Sequence, residues 1–396
     1  MQNEYYYLGR STGLAKLHDS NAFICVDTRS WEALIYIQGY PVEPQEMSVM
    51  RRFVGPGDVF LDIGSNFGLY SMMASERIGS QGKLFAFEAN PHTYQYLRQS
   101  AIANRLIWLP NYKWENLAIS DGDGELEFAF NHDNLGSGHI RNAADSPETH
   151  EIVVVKATSI DNYLSGGIKV DFAKIDVEGH ELPVLKGMIE TIARSPSIRI
   201  MLEYYTYTDD ITEYGKNIVE FVRSIGLGLC RVEGDGSLSV VPENEIPRGN
   251  IYLLATRTPE EDARRPASCI SLRPKGMNLH PVFAQGAHQL TTPEGLLRYD
   301  RDDHEDVAEP TLFFGPYIDL PAGNYRLNFQ AKAEGTAHVS VTANAGHSVI
   351  LAQNISNWDN ALDFHIDEAV QQFEIVLRRT SNLKSLELSE IQIECL

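Results

Sequence analysis

Between residues 53 and 256, short apolar runs alternate with stretches of helical spacing. The runs are VFLDI (59–63), KLFAFE (83–88), WENLAIS (114–120), VDFAKID (170–176) and IRIMLEY (198–204). Their β-branched and aromatic side chains favour strands. Between the first two, Leu69 to Ile78 repeats at helical spacing, and after the second Pro91 opens a helix with Tyr94, Leu97 and Ala101 on one face. Glu181 to Ala193 and Ile211 to Ile225 predict two further helices. This alternation predicts an α/β fold with a doubly wound, Rossmann-like, mostly parallel sheet. The runs near 227–232 and 250–256 are too close for a crossover helix, so they predict an antiparallel hairpin at one edge.

The flanking regions read differently. Residues 1–52 contain AFICVDTRSWEALIYIQGYPVE, which predicts two alternating strands forming an extension or lid. The charged, proline-bearing segment RTPEEDARRPAS predicts a linker over 257–270. From 271 to 396 the period is two: Tyr325, Leu327, Phe329 and Ala331 alternate with Arg326, Asn328, Gln330 and Lys332, and HVSVTAN, QQFEIVLRR and SLELSEIQIECL repeat the pattern. That predicts a C-terminal all-β, jelly-roll-like sandwich.

Charge narrows the partners. With 33 basic and 54 acidic residues among 396, the net charge is −21, which argues against nucleic acid or an anionic membrane as the main partner. The start MQNEYYYLGRSTGL has no signal-peptide pattern, and no apolar stretch approaches the ~18 residues of a membrane span, so a cytoplasmic protein without a transmembrane segment is expected. Cys25, Cys230, Cys269 and Cys395 are far apart and form no C-x-x-C pair, so reduced thiols are expected.

Two segments carry chemistry. In GDVFLDIGSNFGLYS (57–71) a strand turns through Gly64 and Gly68 into a helix, and such glycines let backbone approach a ligand at the strands' carboxyl ends. Glu88 ends the next strand, 24 residues after Gly64, where a carboxylate accepts ribose hydroxyls. The run D-I-G-S-N-F-G departs from G-x-G-x-x-G, with Asp62 in place of the first glycine, which removes the pyrophosphate seat. A cationic nucleoside such as S-adenosyl-L-methionine suits this acidic chain better. The second segment, FAKIDVEGHEL (172–182), gathers Lys174, Asp176, Glu178, His180 and Glu181 at the end of the fourth core strand.

The blocks VFLDIGSNFGLYS, FEANP, NLAISDGDG, SIDNYL and FAKIDVEGHELPVLKG occur in an order that resembles the FkbM-type class I methyltransferases over about residues 25–256. That family uses S-adenosylmethionine to methylate hydroxyl oxygens of macrolides, sugars and other metabolites. The resemblance implies that Asp62, Gly64, Asn66, Gly68 and Tyr70 line the cofactor, that Glu88 holds the ribose, and that Asn116 and Ala118 lie near the adenine. It also implies that the loop NLGSGHI (134–140), with Ser137, covers the pocket. Ser65, among the cofactor contacts, stands where the family more often has alanine.

Methyl transfer needs an aligned acceptor oxygen and a group to take its proton. Asp176 is the leading catalytic or cofactor-facing candidate; His180 is a base with a suitable intrinsic pKa, and His139, Glu178 and Glu203 are further candidates. Tyr204 or Tyr205 would join Glu203 on acceptor hydroxyls. Glu181 is expected to cap its helix and Lys174 to keep a neighbouring carboxylate ionised. A divalent metal on Asp176, Glu178 and His180 is disfavoured by the strand-end geometry. In the sandwich, Tyr299, Tyr317 and Trp358 are candidates to stack on sugars, with core burial the competing fate. RYDRDDHEDVAEP could ligate calcium or be a solvated loop, and the sandwich could instead mediate self-association. The leading expectation is O-methylation of a sugar hydroxyl in a glycan; the alternatives are O-methylation of a small natural product and a non-catalytic glycan-binding scaffold.

Overall fold

The computed structural model describes residues 4–17, 20–143, 145–205, 213–265, 269–272, 278–279, 290, 292, 296–304, 307–320, 322–344 and 346–396. It divides into two compact units, Met1–Met50 with Val59–Arg265, and Arg51–Asp58 with Pro266–Leu396.

The first unit begins with an antiparallel sheet of β1 (Glu4–Gly9), β2 (Thr12–Lys16) and β3 (Phe23–Asp27). The strand expected after it is a helix, α1 (Ala33–Gln38), which buries Ala33 and Tyr36 and stops at Gly39, φ 73°. Apolar residues three apart here outweigh the alternation, an ambiguity inherent in short runs. Helix α2 (Pro44–Phe53) follows.

The core sheet contains β4 (Val59–Ile63), β5 (Lys83–Phe87) and β6 (Tyr112–Glu115), with α3 (Leu69–Ile78) and α4 (Pro91–Ala103) as crossovers. Asn90 caps α4 by accepting the His92 N–H at 2.9 Å, with Pro91 at the first helical position. WENLAIS, expected as one strand, is split. Asn116 turns its amide onto the carbonyls of Glu88 and Ala89, at 2.8 and 3.0 Å, and β7 (Ala118–Ile119) joins another sheet. That second sheet, ordered β7-β10-β8-β9, adds β8 (Gly124–Asn131), β9 (Asn134–Ile140) and β10 (Glu151–Thr158). NLGSGHI is therefore a strand, not a loop; its glycines and serine hide the pattern.

After α5 (Ile160–Tyr163), β11 (Phe172–Ile175) returns beside β4, with Phe60 and Phe172 stacked at 5.6 Å. The single helix expected over 181–193 is two, α6 (Glu181–Lys186) and α7 (Ile189–Arg194). They part at Gly187, where a Cβ would fall 2.0 Å from the Ser120 carbonyl oxygen. Then come β12 (Arg199–Tyr205) and α8 (Glu213–Ser224); residues 211–212 of the expected helix lie outside the described residues. β13 (Gly228–Val232) and β15 (Asn250–Thr256) pair antiparallel as expected, with an added edge strand β14 (Leu238–Val240).

The full order is β14-β13-β15-β12-β11-β4-β5-β6, parallel from β12 to β6. Strand order reverses between β4 and β11, so the ligand crevice belongs at their carboxyl ends. The expected linker instead forms α9 (Pro259–Arg264). Its Asp262, fully buried, accepts from Arg199 at 2.9 and 2.6 Å, which fastens the segment to the sheet.

The second unit is two antiparallel sheets around one apolar core. One orders Cys269–Leu272, Ser385–Cys395, Gly323–Glu334 and Leu362–Ile366; the other orders Asn278–Leu279, Thr311–Phe314, Val370–Arg379, Ala337–Ala343 and Ser348–Ile355. Leu297–Asp300 and Pro316–Leu320 pair alongside Ser385–Cys395 and Val370–Arg379. Tyr325, Leu327 and Phe329 face inward as their alternation predicts. Tyr299 and Trp358 are buried in the core, so neither offers a sugar-stacking face, and the Tyr317 side chain lies outside the described residues. In the acidic run proposed for calcium, residues 305–306 also lie outside them.

Candidate active site

A cavity of about 500 Å³ opens at the carboxyl ends of β4, β5, β11 and β12. Its floor is the turn after β4. Gly64, φ 80°, donates its N–H to the Phe87 carbonyl at 3.0 Å, and Asn66 takes a left-handed φ of 47°. The Asn66 N–H then reaches Glu88 Oε2 at 2.8 Å, while Asn90 N–H holds Oε1 at 2.8 Å. Glu88 is thus oriented by backbone on both oxygens, each with lone pairs left for a ligand. Burial still pushes its carboxyl up to about 7.

At the other end, β11 delivers Lys174 and Asp176. The Lys174 Nζ lies 2.9 Å from Asp176 Oδ2, 3.2 Å from the Gly64 carbonyl and 4.8 Å above the Tyr70 ring. Tyr252 donates to the same Asp176 oxygen at 2.8 Å. Burial raises the Asp176 carboxyl, but the ammonium, together with hydrogen bonds from Lys174 and Tyr252, outweighs it and holds the group below the usual range. Burial alone would lower Lys174; Asp176, Asp62 and Glu43 around it push it up instead. Lys174 thus pairs with a neighbouring carboxylate and favours its ionised form.

Glu203 is pushed far up by burial and by the Asp176 charge, and as a carboxylic acid it donates to Asp176. Glu178, in a left-handed conformation of φ 51°, is raised to about 8 by burial and by Asp176. His180 also lines the cavity; its Nε2 meets the Ser120 hydroxyl at 2.9 Å, and burial lowers its pKa. Glu181 faces inward, where Oε1 accepts the N–H groups of Val177 and Gly179 at 3.1 and 3.2 Å. It ties the turn that presents Glu178.

Several sequence candidates stand elsewhere. Asp62 is fully buried outside the cavity wall, bonded to the Ser71 hydroxyl at 2.5 Å. Gly68 lies outside the wall as well, at the start of α3, where a Cβ would sit 2.7 Å from Leu97. Asn116 braces the Glu88 corner without lining the cavity, whereas Ala118 and Ser137 do line it. His139 is turned onto Ser137 O and Asp145, at 2.8 and 3.1 Å, and does not line the cavity. Tyr204 is buried and bonded to the Pro247 carbonyl, and Tyr205 is likewise absent from the wall. Ser65 lines it but spends its hydroxyl on the Asp62 carbonyl at 2.8 Å. The oxygen cluster able to hold a cation is Asp176, Glu178 and Glu203, mutually within 4.8 Å, so His180 leaves the expected triad.

Sequence reasoning missed the wall from the N-terminal region. Glu32 accepts the Gly136 N–H at 2.9 Å, and a Cβ on Gly136 would collide with its Oε1 at 1.7 Å. Tyr70 donates a short hydrogen bond to Glu43, and Glu46, three residues after Glu43, also lines the wall. The glycine spacing of β9 was the visible signal for the close approach.

The crevice at a reversal of strand order, with a turn-bound Glu88 and Asp176 paired to Lys174, is where an open α/β sheet binds its ligand. Residues 62–226 match the family model of the methyltransferase FkbM domain. Hexuronic acid methyltransferase AglP of Haloferax volcanii is 30% identical over 137 residues, 34% of this chain and 52% of that protein. Ribosomal RNA large subunit methyltransferase E of Sorangium cellulosum is 36% identical over 69 residues, 16% of this chain and 32% of that protein. The chain thus spans about half and about a third of these relatives. The crystal structure of methyltransferase FkbM from Methylobacillus flagellatus superposes with a TM-score of 0.34 at 13% identity, over 50% of this chain and 43% of that one. No helix among the described residues is long and apolar enough to cross a membrane.

Proposed function

We propose that this chain is an S-adenosylmethionine-dependent O-methyltransferase acting on a hydroxyl of a sugar unit in a glycan. One observation carries the reading: a single cavity holds both a backbone-oriented Glu88 and, at the other end, the Lys174–Asp176–Tyr252 constellation. The donor set suits the cofactor. A buried oxygen in the wall, Asn66 Oδ1 beside Glu88, lacks a partner among the described residues and would accept from one of its hydroxyl groups.

When bound, S-adenosylmethionine supplies an electrophilic methyl group on a sulfonium. Glu88 holds two adjacent hydroxyls, and Asn66 accepts a further hydrogen bond. Asp176, ionised by Lys174, accepts the hydrogen bond of the acceptor hydroxyl and orients its lone pair for in-line attack. Glu178, raised to about 8, would take the acceptor hydroxyl's proton, while the methyl group's bond to sulfur would break and S-adenosylhomocysteine leave. Glu203, its carboxyl pushed far up, would stay protonated and hydrogen-bond to Asp176. The sugar assignment draws on the AglP similarity.

The test uses the full chain with labelled cofactor and a panel of neutral, amino and acidic sugars and oligosaccharides, with calorimetric titration of S-adenosylhomocysteine alongside. Label in a base-stable methyl ether supports the reading. Absence of S-adenosylhomocysteine binding, or label only on nitrogen, defeats it.

A further inference from the structure

We propose, building on the methyltransferase reading, that the acceptor carries a free, cationic amine, as in an amino sugar, received by Glu46 and Glu203 beside Asp176. The ionisable side chains of the wall are nearly all acidic. Glu32, Glu43, Glu46, Asp176, Glu178 and Glu203 line the cavity besides Glu88, and among the described residues Lys174 is the one lysine or arginine there. Lys174 is already engaged by Asp176 and the Gly64 carbonyl.

The unmet hydrogen-bonding capacity points the same way. Apart from Asn66 Oδ1 at the cofactor end, the buried side-chain atoms of the wall that lack a partner among the described residues are Glu46 Oε2 and Glu203 Oε2. All are oxygens, and Glu46 is only 6% exposed. A ligand completing this wall brings donors, and an ammonium brings three in one group. Buried acceptors left unmet are costly, so the wall selects for a ligand that meets them. A uronate carboxylate brings no donor and meets like charges.

Position separates this receptor from the cofactor's ribose end. Glu46 stands on α2, three residues after Glu43; Glu43 accepts from the Tyr70 hydroxyl, and the Tyr70 ring lies under Lys174, the partner of Asp176. Glu88 is held by Asn66 and Asn90 instead. The amine is thus recognised near the attacking hydroxyl.

Calorimetry on the full chain with S-adenosylhomocysteine bound would compare glucosamine, N-acetylglucosamine and glucuronic acid. Glucosamine should bind at least about tenfold more tightly than its N-acetyl form, as charged hydrogen bonds imply, and glucuronic acid more weakly than either. Glu46→Gln should erase most of that preference while leaving S-adenosylhomocysteine affinity unchanged. Equal binding of glucuronic acid, or a Glu46→Gln variant that loses S-adenosylhomocysteine but keeps the sugar order, overturns the inference. Should the variant fail to fold, the wild-type order alone decides. If amine preference holds but no methyl group reaches any sugar oxygen, the methyltransferase reading fails and the charge selection stands. Methyl transfer chiefly to glucuronic acid upholds the methyltransferase reading and overturns the amine preference.

Discussion

Replacing Lys174 by methionine removes the charge on which the acidic cluster rests. The side chain is 3% exposed, and its ammonium lies 2.9 Å from Asp176, with Asp62 and Glu43 also acting on it. Breaking a buried pair from one side costs about 3–5 kcal/mol, because the remaining charge is left uncompensated. The cost has a limit, since Asp176 can take up a proton, each unit of pKa shift being worth about 1.4 kcal/mol. In the wild type the Asp176 carboxyl is held below its unfolded value. Its contribution is therefore present above the unfolded pKa of ~3.9 and lost as pH falls through the folded one. Without Lys174 the folded pKa rises above the unfolded one, the sign reverses, and the variant worsens as pH increases. The loss should be near the top of the range at pH ~8 and near or below its bottom at pH ~5. Hydrogen exchange of peptides covering 59–63 and 172–175 reads this unit directly, across both pH values. Adding Asp176→Asn to Lys174→Met should restore part of the protection. A loss below about 1 kcal/mol, or one that is equal at both pH values, would refute the reasoning.

Glu88→Gln should weaken S-adenosylhomocysteine about tenfold to a hundredfold by calorimetry, the worth of hydrogen bonds to a charged group; unchanged affinity would remove Glu88 from the ribose. If Glu178 must be ionised to take the proton, the methyl-transfer rate rises with pH through about 8. Glu178→Gln should flatten that limb and cost on the order of 10²-fold in kcat, and a wild-type profile flat across this range excludes the role. Asp262→Ala leaves Arg199 buried without its carboxylate and should cost about 3–5 kcal/mol, read as faster exchange in 199–205 and 259–264; protection like the wild type would restore the linker reading.

The parallel core was legible in the sequence because each of its strands is a bounded apolar run and its first two crossover helices carry their own signals. Pro91–Ala103 has its Asn90 cap and Pro91, and Leu69–Ile78 is apolar enough to be buried on nearly every side. What escaped is tertiary. Nothing local to Asp262 announces Arg199, 63 residues away, and without that pair the segment reads as charged linker. The sheet from β7 to β10 was hidden because β9 contains Gly136, Ser137 and Gly138, whose small size serves Glu32 and Phe128 rather than strand propensity. In the site, Glu88, Asp176, Glu178, His180 and Glu203 were found because they end or follow core strands. Glu32, Glu43, Glu46 and Tyr252 were not, because separate elements bring them to the cavity. His139 misled for the opposite reason: its residue type suggested chemistry, and Asp145 holds it away.

The contact between Gly64 and Asp176 has a consequence for how the site can vary. A Cβ at Gly64 would lie 1.7 Å from the Asp176 carbonyl oxygen, and the Asp176 N–H is bonded to the Ile63 carbonyl at 3.0 Å. The turn beneath the cofactor end and the carboxylate at the acceptor end thus share one backbone joint. A shift in either strand end carries both with it, so the spacing between donor and acceptor is inherited as a unit. Changes of substrate are then confined to the surrounding wall, on α1, α2 and β9, where side chains can be exchanged without moving that joint.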